Sequence, residues 1–198
     1  MENLLAWDRE LFLWLNSLGN QTFDWFWMMM THRLSNLIVY LTLLIFIWYK
    51  NSWRTAVYIF LFASFLILFT DQLTNLFKVQ VGRLRPCHDN DIKSLVRLVK
   101  LTCGGKFSFF SGHASNSFAL AVFFGNITKF YTKNILYFLI FIASLIAYSR
   151  VYLGVHFPLD IFCGAIVGFI NGYIFYKIWM KLYLSLIHIS EPTRPLII

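Results

Sequence analysis

Three short stretches of this chain carry residue types able to move a phosphoryl group. In SRVYLGVHFPLD, residues 149–160, Arg150, His156 and Asp160 lie together between two apolar runs. Titratable and charged groups at membrane depth are costly, so they are kept for a task or a partner. The spacing of His156 and Asp160 lets the carboxylate accept a hydrogen bond from one imidazole nitrogen, leaving the other free to attack. In KVQVGRLRP, residues 78–86, Lys78, Arg83 and Arg85 sit on a helix end and its exit, with Gly82 and Pro86 shaping the turn. Cations so close repel one another unless an anion sits among them. In FSFFSGHASNSFALAVFF, residues 107–124, Ser111, Gly112 and His113 open an apolar helical run. The free amides and dipole of such a helix start favour phosphate.

Each stretch has a plainer reading: an ion pair within the membrane, a solvated basic loop, or a serine that caps a helix. Asp71 and Asn75 share a helical face with Lys78, which fits a structural polar contact as well as a functional one. The two histidines, the acid and the cations nevertheless all fall on one predicted side of the membrane. Jointly they point to a phosphate-handling site.

The elements that must position these groups are membrane helices. The chain has 198 residues, 59% of them hydrophobic and 13% charged, and its mean hydropathy is +0.64. A soluble domain carries about 25% charge. Apolar runs near the roughly 20 residues that a span requires occupy 25–49, 55–77, 112–128, 134–149 and 158–182. The expected fold is therefore all-α: a polytopic membrane bundle of five transmembrane helices, preceded by an amphipathic interfacial helix in LLAWDRELFLWLN. The start lacks the basic and then apolar pattern of a cleavable signal peptide. Residues 1–183 read as one domain. Residues 184–198 contain LSLIHISEPTR, which resembles a translated sequencing-library adapter and is set apart as non-native.

Lys50, Arg54, Lys129, Lys133, Lys177 and Lys181 fall on one side, which the positive-inside rule makes cytoplasmic. The three stretches then face the exterior. Nucleic acid is a poor account of the net charge of +8, because the aromatics lie within the spans and not among the basic residues. No carboxylate cluster of the kind that binds magnesium is apparent, so no metal or other cofactor is expected. Arg83 is expected to touch lipid headgroup phosphates. An outward, oxidising setting would allow Cys87 to pair with Cys103, while Cys163 lies in the last span.

In order and spacing the stretches resemble the motif set of the type 2 phosphatidic acid phosphatase family, which shares its site with vanadium haloperoxidases. K-x6-R-P runs from Lys78 to Pro86, P-S-G-H is met by Phe110 to His113, and S-R-x5-H-x3-D runs from Ser149 to Asp160. Phe110 departs from the family's proline, at a position that shapes a turn. The family's six-helix core is short by one here unless residues 4–16 replace a helix. The resemblance implies that His156 is the nucleophile, forming a phosphohistidine, and that Asp160 orients it. It implies that His113 is the general acid and later the base, and that Lys78, Arg85, Arg150, Ser111 and the Gly112 amide bind the phosphoryl oxygens.

The implied activity is metal-independent hydrolysis of a membrane lipid phosphate, with the enzyme in a bacterial inner membrane and its site facing the periplasm. Small size and an outward site place undecaprenyl diphosphate first among substrates. Phosphatidylglycerophosphate, phosphatidic acid and lipid A phosphates are the alternatives. A vanadate-dependent oxidase is disfavoured by the spans. A non-catalytic headgroup binder would need the cations but not the His156–Asp160 pair.

Overall fold

A backbone in lipid must satisfy its own hydrogen bonds, so long apolar runs become helices. The computed structural model describes residues 2–190, in which seven α-helices follow one another: α1 Glu2–Ser17, α2 Gln21–Met30, α3 Arg33–Lys50, α4 Trp53–Val81, α5 Gly112–Thr128, α6 Ile135–Tyr152 and α7 Pro158–Ser190. Residues 191–198, the end of the adapter-like stretch, lie outside the described residues. A 3-10 turn spans Pro86–His88. Among the described residues, extended pairing is confined to a single antiparallel bridge between Leu84 and Phe107.

Three helices are long and apolar enough to cross a membrane: Trp53–Val81, Ile135–Tyr152 and Pro158–Leu184. A fourth crossing arises if α2 and α3 act as one bent span. The single helix expected over 25–49 is thus two. Thr31 ends α2, and the His32 ring nitrogen accepts the Leu34 amide at 3.3 Å to start α3 afresh. The span expected over 112–128 is the 17-residue α5, which is largely buried by its neighbours α4, α6 and α7.

Lipid is as apolar as leucine, so membrane helices associate through close packing more than through burial. The α5–α7 contact shows how. Gly164, Gly168 and Gly172 form a stripe along α7 that lies against the backbone carbonyls of Ser111, Ser115 and Ala119 on α5. A β-carbon on Gly164 would stand 2.6 Å from the Ser111 oxygen. The stripe brings the start of α5 beside the start of α7. Around it, Ile59, Leu66, Phe123, Phe124, Leu139 and Trp179 form the main core.

α1 turns Asp8, Phe12 and Asn16 inward, where all three are buried, while Trp7 and Trp14 are exposed. Its tryptophans point away from the bundle, while Asp8 and Asn16 point in on either side of Phe12. Asn16 donates to the carbonyls of Arg97, Val151 and Tyr152 at 3.0 to 3.2 Å and accepts the Arg97 amide at 2.8 Å. The α3–α4 and α5–α6 turns meet through Tyr131, whose hydroxyl donates to Asn51 at 2.7 Å. The three motif stretches gather at the opposite end.

Candidate active site

Four helix ends build the site: the end of α4, the start of α5, the end of α6 and the start of α7. α4 stops at Gly82, whose φ of 63° suits glycine and lets its amide bond back to the Lys78 carbonyl at 3.1 Å. Lys78 is thereby left in the last turn, and the chain leaves in an extended run. Arg85 donates its amide to the Lys106 carbonyl at 3.1 Å, and Ser108 donates to the Arg83 carbonyl at 2.7 Å. These bonds hold the Arg83–Arg85 segment against the segment that leads to Ser111.

The Arg85 guanidinium donates to the Cys103 carbonyl at 2.6 Å and to the Phe107 carbonyl at 3.2 Å. Cys103 is bonded to Cys87 as a disulfide, with α-carbons 6.2 Å apart, inside the usual range for such bridges. Cys163 is free.

Ser111 caps α5 and is fully buried. Its amide donates to the Asp160 carbonyl at 3.0 Å, stitching the second motif to the third. The first amides of a helix have no partner within it, so Gly112 and His113 present an open helix start. At the end of α6, Arg150 is 4% exposed and donates to the Thr31 hydroxyl at 2.6 Å, while its Nε has no partner. The Arg150 carbonyl accepts the amides of Val155 and His156 at 3.1 and 3.3 Å, so the turn couples the arginine to the imidazole. That turn needs Gly154 at φ 79°, since a β-carbon there would lie 2.7 Å from the Arg97 oxygen.

His156 and Asp160 are both buried. The Nδ1 of His156 faces an Asp160 oxygen at 3.5 Å, longer than a well-formed hydrogen bond. The same Asp160 oxygen accepts the Phe157 amide at 3.0 Å. Burial pushes the His156 imidazole down to about 4, opposed by the Asp160 carboxylate and assisted by Arg150 and Arg85. His156 is therefore neutral at ordinary pH, with Nε2 as the nitrogen turned away from the acid.

The expected site residues come together. His113 lies in the field of Arg150, His156, Lys100 and Lys78. Lys78 lies in that of Arg85, Asp71, Arg150 and Asp160. Asp71 stands at the edge of the site, where it accepts a 2.7 Å hydrogen bond from Asn116 and ties α4 to α5. Arg83 corrects an expectation. It does not extend to headgroups but bridges two acids, bonding Asp160 at 2.9 Å and Asp8 of α1. Both acids are buried. Lys100, Thr31 and Asp8 were missed in the sequence, since they lie outside the motif stretches. Among the described residues, no group of three or more His, Cys, Asp or Glu is arranged to hold a metal ion.

This geometry can be set against known proteins. The PAP2 superfamily matches residues 56–183. The chain belongs to that superfamily. It is a bacterial membrane lipid phosphatase of PAP2 type, and its helices α1 to α3 precede the PAP2 match. A relative from Porphyromonas gingivalis named lipid A 4'-phosphatase is 35% identical over 198 residues, covering 98% of this chain and 82% of its own length. One of the same name from Bacteroides thetaiotaomicron is 36% identical over 177 residues, covering 88% of this chain and 78% of its own. The crystal structure of Aquifex aeolicus LpxE aligns with a TM-score of 0.62 and 28% identity, covering 85% of this chain and 93% of that one. A PAP2-type phosphatidylglycerolphosphate phosphatase from Bacillus subtilis shares the fold, with a TM-score of 0.73 and 18% identity over 91% of this chain and 88% of that one.

Proposed function

We propose that this PAP2 phosphatase hydrolyses a phosphate ester of a lipid A-type glycolipid through a phosphohistidine at His156. Nε2 of His156 attacks phosphorus as the bond to the lipid oxygen breaks, and His113 donates a proton to the departing oxygen. Water, deprotonated by His113, then attacks the phosphohistidine. The phosphorus–nitrogen bond breaks, releasing inorganic phosphate and neutral His156. Lys78, Arg85, Arg150, Ser111 and the Gly112 amide hold the phosphoryl oxygens, with Lys100 adding charge beside His113. These groups offset the charge of the transition state without a metal.

The observation that carries the reaction is the buried His156–Asp160 pair, with His113 and three cations gathered around it. Binding alone would need the cations and not the pair. The choice of lipid rests on the relatives from Porphyromonas and Bacteroides. Their name favours lipid A over undecaprenyl diphosphate, which size and orientation alone place first. An apolar groove of about 770 Å³ beside Pro158 and Leu159, lined by Leu4, Trp7, Leu11 and Phe162, is suited to lipid chains. An inner-membrane location with the site facing the periplasm follows from the positive-inside reading.

Phosphate release by detergent-purified protein in EDTA, from lipid A, undecaprenyl diphosphate and phosphatidic acid, tests the proposal. Fastest release from lipid A supports it. Preference for undecaprenyl diphosphate would overturn the substrate, and a requirement for added metal would overturn the mechanism.

A further inference from the structure

The polar residues of α1 reach the catalytic acid. One oxygen of the Asp8 carboxylate accepts the Leu159 amide at 2.8 Å, and the other accepts the Arg83 guanidinium. Pro158 has no amide, so Asp8 supplies from another helix the cap that the start of α7 lacks. Arg83 then donates to the Asp160 oxygen that does not face His156, at 2.9 Å. The guanidinium carbon lies over the Phe157 ring, 4.0 Å from its centroid. Phe157 in turn meets Phe12, one turn along α1 from Asp8, with centroids 5.3 Å apart. Every member is shielded: side-chain exposure is 6% for Asp8, 14% for Arg83 and 0% for Asp160.

We propose that Asp8 is a positioning residue for the phosphatase reaction, acting through Arg83 on Asp160 and thereby on His156. The inference rests on His156 being the nucleophile. As His156 attacks, positive charge builds on its ring and Asp160 offsets it. An arginine bound to Asp160 alone would neutralise the acid and weaken that effect. Sharing Arg83 with a second buried carboxylate leaves Asp160 its negative character while keeping its oxygens fixed. α1 precedes the PAP2 match at residues 56–183, so the device is added from outside the part of the chain that carries the motifs.

Asp8→Asn is the informative variant, because it keeps an oxygen for the Leu159 amide and loses the charge facing Arg83. The expected result is a kcat lower by roughly ten- to hundred-fold, as for small misplacements of catalytic groups. KM for the lipid stays close to the parent's, the melting temperature falls as Arg83 loses one of its two carboxylates, and Asp8→Glu restores part of kcat. In an Arg83→Gln background, adding Asp8→Asn should change kcat little, since the link is already cut. Parent-like kcat in Asp8→Asn, a change in KM alone, or full additivity with Arg83→Gln would overturn the proposal. His156→Ala, run alongside, separates the two ideas. If it stays active, the nucleophile assignment fails; if it is inactive while Asp8→Asn is unaffected, only the role of Asp8 fails.

Discussion

Arg85 donates to the backbone oxygen of Cys103, the residue whose sulfur is bonded to Cys87 just beyond Arg85 in the chain. The disulfide and the hydrogen bond close one small ring around the guanidinium proposed to bind phosphate. Arg85 is thus aimed by a covalent staple.

Cutting the staple should loosen that aim. Replacing Cys87 and Cys103 by serine removes a crosslink between positions 16 apart, worth about 3 kcal/mol in the chain-entropy account. A lower melting temperature and a higher KM for the lipid are expected, with reductant producing the same changes in the parent. Kinetics unaltered by both treatments would mean that Arg85 is held without the bridge.

The pH profile should report the buried imidazole. His156 attacks as the neutral ring, and burial holds its pKa at about 4. The nucleophile is therefore fully available above that value and is lost as pH falls through it. The acid limb of kcat/KM, which reports the free enzyme, should have its midpoint near there. A limb near 6.5, the value of a solvated imidazole, would mean that His156 is open to water.

The glycine stripe predicts a mutation far from any titratable group. Alanine at Gly168 puts a β-carbon against the Ser115 carbonyl, which is backbone and cannot swing aside. Overpacking of this kind costs about 1–3 kcal/mol. Wedging α5 from α7 also moves His113 away from His156. Thermal unfolding and turnover should both suffer, whereas alanine at Gly105, which is exposed, should do little.

Thr31 offers a test of the phosphate clamp. Thr31→Val removes the hydroxyl that accepts from Arg150, leaving a buried donor unpaired at a cost of about 1–3 kcal/mol. Weaker substrate binding and a higher KM are expected, with Thr31→Ser close to the parent. Loss in Thr31→Ser with parent-like behaviour in Thr31→Val would argue that Thr31 matters for its methyl packing instead.

The apolar runs made the helical class legible, and the motif spacings made the candidate catalytic set legible, because each motif is local and its residue types are tied to one chemistry. His156 and Asp160 announce themselves by lying one helical turn apart. Arg83 does not: its partners are 75 and 77 positions away, and nothing in KVQVGRLRP distinguishes a cation that meets buried acids from one that meets phosphate. Asp8 opens the charged run Asp8-Arg9-Glu10, which makes it look like part of the solvated centre of an interfacial helix. Only the fold turns it inward. The stripe at Gly164, Gly168 and Gly172 was open to inspection, since small residues at every fourth position mark a close helix contact. A search for polar residues passes over it.

The central claim is that His156 becomes phosphorylated. The direct measurement is to mix protein with lipid A carrying radiolabelled phosphate, quench within the first turnover in alkali, and follow label on the protein. Phosphohistidine survives alkali and is lost in acid. Label with that stability in the parent and none in His156→Ala is the result predicted here. Turnover by the parent with no protein-bound label at any quench time, or equal labelling of the variant, would contradict it.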